Sequence, residues 1–192
     1  MNYQLFQDIN NLAGHHSFLD RLMVFTSSKA FIIYALALLL MWVFGKEKIK
    51  YTVVFAVITT AIGLIINFIL GHIYNEPRPF VTHKVHLLIK HAADASFPSD
   101  HSTFAFSIAL AVLFRNRIIG FWMLLFAILV GISRVYVGNH YPFDVVGSFV
   151  VSVLASLFVY KFSSIFEPIC RLIIAIYNKI PFVPKNDRSF SK

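Results

Sequence analysis

The chain reads as an all-α, polytopic transmembrane helix bundle, with about five spans and an N-terminal helix lying in the membrane interface. Two features carry that reading. Hydrophobic residues make up 58% of the 192 positions and charged residues only 14%, with a mean hydropathy of +0.72, whereas a soluble domain is nearer 45–50% apolar and about 25% charged. The basic residues then fall in short clusters between apolar runs, the pattern of positive-inside loops.

The N-terminus, MNYQLFQDINNLAG, lacks a basic region followed by an apolar one and so does not read as a signal peptide. Leu5, Phe6, Ile9 and Leu12 instead recur at helical spacing, as on an amphipathic interfacial helix. The first apolar segment is about Ala30–Phe44, extended at its start by Leu22–Phe25. The second, Tyr51–Gly71, carries no charge and is long enough to span, since about 20 residues cover the hydrocarbon. A short third segment covers Thr103–Phe114, a fourth Ile118–Val137 and a fifth Val145–Tyr160. Ile165–Ile180 has an amphipathic pattern, and Pro181–Lys192 has the composition of a disordered tail. Without repeats or low-complexity tracts, residues 1–192 form one domain: an interfacial region 1–28, a transmembrane core 29–162 and a cytoplasmic tail 163–192.

Charge sets the expected orientation. With five alternating spans, Lys46, Lys48, Lys50, Arg115, Arg117 and the six basic residues from Lys161 onward share one side. Arg21, Lys29, Arg78, Lys84, Lys90 and Arg134 share the other. Eleven against six places the first group in the cytoplasm. All eight histidines then lie on the outer side, which marks that face for chemistry. The net charge of +8 does not indicate nucleic acid, because it forms no continuous stripe. The single cysteine, Cys170, excludes an intrachain disulfide and a cysteine-rich metal site.

Helix alternation gathers three polar stretches at the outer face: NEPRPF (75–80), SFPSDH (96–101) and SRVYVGNHYPFD (133–144). Arg78 and Arg134 are planar forks suited to phosphate, and Pro77 and Pro79 stiffen the backbone around the first. Taken alone, Arg134 also fits a side chain snorkelling to the headgroups. Ser99 and Asp100 are good N-cap residues for the third segment, and the free amides of a helix start make an anion site. His101 follows in the first turn, where the helix dipole disfavours an imidazolium unless a bound phosphate compensates. His140 and Asp144 stand four apart; a carboxylate there can hold one ring nitrogen and leave the other free as a nucleophile. Each feature has a structural explanation by itself, but two arginines, two histidines and an aspartate on one face favour a phosphate site.

These stretches resemble the type-2 phosphatidic acid phosphatase superfamily, whose signature is K-x6-R-P, then P-S-G-H, then S-R-x5-H-x3-D. The third part is complete in Ser133-Arg134, His140 and Asp144; the second reads Pro98-Ser99-Asp100-His101; the first keeps Arg78-Pro79 but has Gly71 in the lysine position. Gly71 and Asp100 both make the site less positive, which should narrow the substrate or pH range; Lys84 or Lys90 are candidate replacements for the lysine. The resemblance implies a lipid phosphatase without metal or other cofactor. In it His140 is the nucleophile, Asp144 its orienting partner, and His101 the general acid, while Arg78, Ser99 and Arg134 bind phosphate. The runs HAADASFPSDH, EPRPF and GNHYPFDVVGS are further similar to the bacterial branch acting on undecaprenyl diphosphate, which implies a polyprenyl diphosphate substrate, cell-wall carrier recycling and bacitracin resistance. Three alternatives stay open on the residues alone: a phosphatase of phosphatidic acid or phosphatidylglycerophosphate, a small transporter, and a zinc site at His83, His86 and His91.

Overall fold

The computed structural model describes residues 1–181. Its helices are α1 (Asn2–Asn10), α2 (Ser17–Phe44), α3 (Glu47–Ile73), α4 (Pro79–Thr82), α5 (Asp100–Leu113), α6 (Arg117–Tyr136), α7 (Pro142–Lys161) and α8 (Ser163–Lys179). The disordered tail expected over Pro181–Lys192 lies outside the described residues from 182 onward. α2, α3, α6 and α7 are each long and apolar enough to cross a bilayer, while α5 has 14 residues.

The short helix is the centre of the bundle. α5 packs against α2, α3, α6 and α7, and ten of its residues, from Ser102 to Val112, are buried. At 1.5 Å per residue it rises only about 21 Å, less than the roughly 30 Å hydrocarbon. A helix shielded from lipid by four neighbours does not have to match that thickness. Small residues let the neighbours close in: a Cβ on Gly63 of α3 would lie 2.8 Å from Ser107 Oγ. Hydroxyls then tie α5 to α7. Ser107 donates to Ser152 Oγ (3.1 Å), Ser152 to the Thr103 carbonyl (3.2 Å) and Ser148 to the Ser99 carbonyl (2.9 Å). Interhelical bonds of this kind contribute about 0.6 kcal/mol each in a membrane protein.

Polarity is distributed as lipid requires. Thr59, Thr60, Asn67, Ser107, Ser148 and Ser152 are buried, while Ile32, Leu39, Ile65, Phe68, Trp122 and Leu154 are about half exposed or more. A soluble fold would bury the second set and solvate the first.

The N-terminal region differs from the sequence reading. α2 begins at Ser17, so the stretch assigned to the interfacial region, 1–28, contributes its last twelve residues to a transmembrane helix. Thr26, Ser27, Ser28 and Lys29 interrupt the apolar run in sequence, yet Thr26 and Ser27 are buried in the bundle, so their polarity faces inward. α1 also does more than float. Phe6 and Asn10 are buried, whereas Leu5 and Leu12 are exposed. The Asn10 amide donates to the carbonyls of His86 and Tyr136 (both 2.9 Å), and its oxygen accepts from His86 N–H. One buried amide thus fastens α1, the long loop after α4 and the end of α6. At the opposite end α8 buries Cys170 and Ile174 against the bundle, and the Lys50 ammonium sits 5.0 Å from the Tyr177 ring.

Candidate active site

The three polar stretches meet at one end of the bundle. The loop before α5 turns back so that Pro77 pairs with Ala95 and Ser96 N–H donates to the Glu76 carbonyl at 2.8 Å. That return places residues 94–96 beside Arg78. Gly147 permits the loop to press on α7, since a Cβ there would lie 2.3 Å from the Phe97 ring.

His140 is at the centre and 2% exposed. Its Nδ1 lies 2.9 Å from the Ser96 carbonyl and 3.3 Å from Asp144 Oδ2. A carbonyl can only accept, so Nδ1 carries the proton. Nε2 therefore holds the lone pair, and it accepts from Arg78 Nη1 at 2.9 Å. Burial first, then the Arg134 and Arg78 guanidinium groups, hold His140 well below the ordinary histidine range. The ring is thus a neutral imidazole with a defined tautomer and an aimed lone pair.

Asp144 is fully buried at the third position of α7, after Tyr141 as N-cap and Pro142 at the first turn. Oδ2 accepts from the Tyr141 N–H (2.8 Å) and closely from Ser96 Oγ, besides its longer approach to His140. The aspartate expected to orient His140 therefore shares that task with the Ser96 carbonyl.

Both arginines are buried at the same place. Arg78 donates through Nε to Asp94 Oδ1 (2.7 Å) and through Nη1 to the Asn139 carbonyl (3.1 Å) as well as to His140. Arg134, 2% exposed, donates through Nη1 to Ser27 Oγ at 2.8 Å. With the Asn139 amide oriented so that both its ends are satisfied, its oxygen accepts from Arg134 Nη2 at 3.3 Å. Arg134 Nε is buried with no hydrogen-bond partner among the described residues, an unsatisfied donor inside the site. Ser99 caps α5, its Oγ accepting from Ser102 N–H at 3.4 Å. His101, in the next turn, meets the Phe31 ring edge-on at 4.6 Å, close enough to feel the charges of Arg134 and Arg78. All six sequence-predicted residues are thus at one end of the bundle.

Ser27, Asp94, Ser96 and Asn139 were not singled out from the sequence, and His91, named there only for the alternative zinc site, has its ring 6.5 Å from that of His140. Burial and then Arg78 push His91 below the usual range. Partial burial raises the Asp94 carboxyl, but the hydrogen bond and charge of Arg78 outweigh it and hold the group low. Only the position of Asp94 and Ser96 within the run before Pro98 could have suggested them. Gly71, where the signature has lysine, lines a cavity of about 450 Å³ with His72, Asn75, Asp94 and Asp100. Asp100 accepts from the Asn67 amide at 2.9 Å, which turns it toward α3. Lys84 and Lys90 are both exposed. The histidines of the alternative zinc site diverge: His83 stacks on Tyr3 at 3.9 Å, His86 faces His15 at 6.0 Å and His91 faces His140.

A lone pair beside a buried guanidinium, with a second buried arginine and a capped helix start at the same end of the bundle, can present a nucleophilic nitrogen to a bound anion. The PAP2 superfamily profile matches residues 51–167, and the chain belongs to that superfamily; it is a multi-pass membrane protein of the lipid phosphatase class. It is 48% identical to undecaprenyl-diphosphatase BcrC of Bacillus subtilis over 180 residues, 94% of this chain and 93% of that protein. It is 33% identical to a Bacillus licheniformis protein named bacitracin transport permease protein BcrC, across 100% of this chain and 96% of the other. The crystal structure of Aquifex aeolicus LpxE superposes with a TM-score of 0.71 at 27% identity, covering 83% of this chain and 94% of that one.

Proposed function

We propose that this protein hydrolyses undecaprenyl diphosphate to undecaprenyl phosphate and inorganic phosphate at the outer face of a bacterial plasma membrane, recycling the cell-wall lipid carrier and conferring bacitracin resistance. The observation that carries the chemistry is the fixed tautomer of His140, with Nε2 free of its proton and held beside Arg78. The substrate follows from the 48% identity to the Bacillus subtilis diphosphatase. The arrangement suits hydrolysis better than conduction, because its polar groups converge on one reactive nitrogen at the end of the bundle.

In the first step Nε2 of His140 attacks the terminal phosphorus, forming a P–N bond as the P–O bond to the lipid phosphate breaks. His101 gives its proton to the leaving oxygen, a contribution typically of about 10²–10⁴ in rate. Arg78, Arg134, Ser99 and the amides at the start of α5 hold the phosphoryl oxygens where charge is greatest. Asp144 and the Ser96 carbonyl stabilise the imidazolium through Nδ1–H. Water then attacks the phosphohistidine, breaking P–N, giving inorganic phosphate and returning a proton to His101. The arginines take the electrophilic role, so no metal is required.

Phosphate release by purified protein in excess EDTA tests substrate and metal together. We expect full activity there, and a kcat/KM for polyprenyl diphosphate well above that for phosphatidic acid or phosphatidylglycerophosphate in matched detergent. Preference for a glycerolipid would sink the substrate; activity lost to EDTA and restored by zinc or magnesium would sink the metal-independent route. Orientation has its own test in a Cys170→Ser background. A cysteine at exposed Lys84 should react with an impermeant thiol reagent on whole cells and one at exposed Lys48 should not; the reverse pattern would invert the topology.

A further inference from the structure

Arg78 is held by the protein through two of its nitrogens: Nε on the Asp94 carboxylate at 2.7 Å, and Nη1 on the Asn139 carbonyl and on His140 Nε2. This arrangement cannot persist during reaction, because the nitrogen that must attack phosphorus is accepting a hydrogen bond from the guanidinium. Asp94 differs from the other partners. Its side chain is 60% exposed while that of Arg78 is 6% exposed, so one carboxylate at the rim neutralises a buried cation. Its geometry on Arg78 is that of an anionic oxygen on a guanidinium. Asp94 also borders the cavity beside Gly71 together with Asp100, and His91 Nδ1 is 3.5 Å from the same Asp94 oxygen.

We propose that Asp94 is a positioning residue that occupies Arg78 as a stand-in for a phosphoryl oxygen, and that exchange between this carboxylate and phosphate sets how firmly the site retains inorganic phosphate. The proposal rests on the phosphate-site reading above. An entering phosphoryl group takes over Arg78 and releases the His140 lone pair; when inorganic phosphate forms, Asp94 competes for the arginine and favours its departure. A carboxylate near bound phosphate also repels it, so both effects weaken retention of the product.

The sign of one substitution separates this role from a structural one. If Asp94 merely aligned Arg78, then Asp94→Asn would weaken phosphate. As a competitor, its loss should tighten phosphate, by about tenfold for one partly exposed charge. The measurement is the inhibition constant of inorganic phosphate against polyprenyl diphosphate hydrolysis, with orthovanadate binding to detergent-purified protein followed by vanadium NMR. Asp94→Asn should lower both constants about tenfold and reduce KM and kcat together, since product would leave more slowly. Asp94→Glu, which keeps the charge, should hold both constants near the original. Unchanged or weakened phosphate binding in Asp94→Asn would overturn the proposal. Failure of the underlying site reading would look different, as no competitive inhibition by either anion in the unmodified protein, and would overturn both.

Discussion

Replacement of His140 by alanine is expected to lower turnover at least about 10⁴-fold and to abolish the phosphoenzyme, because it removes the nitrogen whose lone pair is fixed beside Arg78. Rapid quenching in alkali after mixing with terminally labelled polyprenyl diphosphate should trap label on the unmodified protein, and acid should release it, as phosphoramidates require. Label retained in His140→Ala would exclude His140 as the attacking group. Fold damage is separable, since the variant loses hydrogen bonds to Ser96, Asp144 and Arg78 but leaves the hydroxyl ladder between α5 and α7 intact. The pH profile supplies a second check. Burial and two guanidinium groups depress the His140 pKa, so the neutral, attacking form persists as pH falls through the ordinary histidine range near 6.5. The acid limb of kcat/KM for the free enzyme should consequently lie below that range, and an acid limb at 6.5 assigned to His140 would contradict the packing described.

What the linear sequence revealed and what it hid divide along a physical line. Helix existence was legible because apolar runs of spanning length report their solvent directly. The meeting of Arg78, Ser99, His101, Arg134, His140 and Asp144 was legible because alternation forces helix ends onto one face. Contacts set by side-chain packing were not. Ser27 bonds Arg134 across 107 positions, and in sequence it sits in a polar interruption that read as the edge of a span. Asp94 reaches Arg78 only because the loop folds back through the Pro77–Ala95 pairing. Spacing rules describe one helix at a time, whereas these residues matter through a second one.

The case of Arg134 yields the other large effect, with opposite signs for activity and stability. Its guanidinium is buried near the C-terminal end of α6 with Ser27 and Asn139 as neutral partners, and Nε has none among the described residues. Desolvating a cation typically costs several kcal/mol, which neutral acceptors offset only in part. A phosphoryl dianion would supply the missing acceptor and charge. Arg134→Met, close in volume but uncharged, is therefore expected to reduce kcat/KM by about 10³-fold, the scale of losing a preorganised donor at developing charge. The same variant gives up two hydrogen bonds donated by a charged group, about 1.5–3 kcal/mol each, while removing the offsetting penalty of a poorly compensated buried charge, typically several kcal/mol. The ligand-free protein should thus unfold in detergent at a Tm no lower than the original, and orthovanadate should raise the Tm of the original protein but not that of the variant. A Tm several degrees lower in Arg134→Met, with vanadate stabilisation retained, would show that the arginine holds the helices together instead of waiting for phosphate.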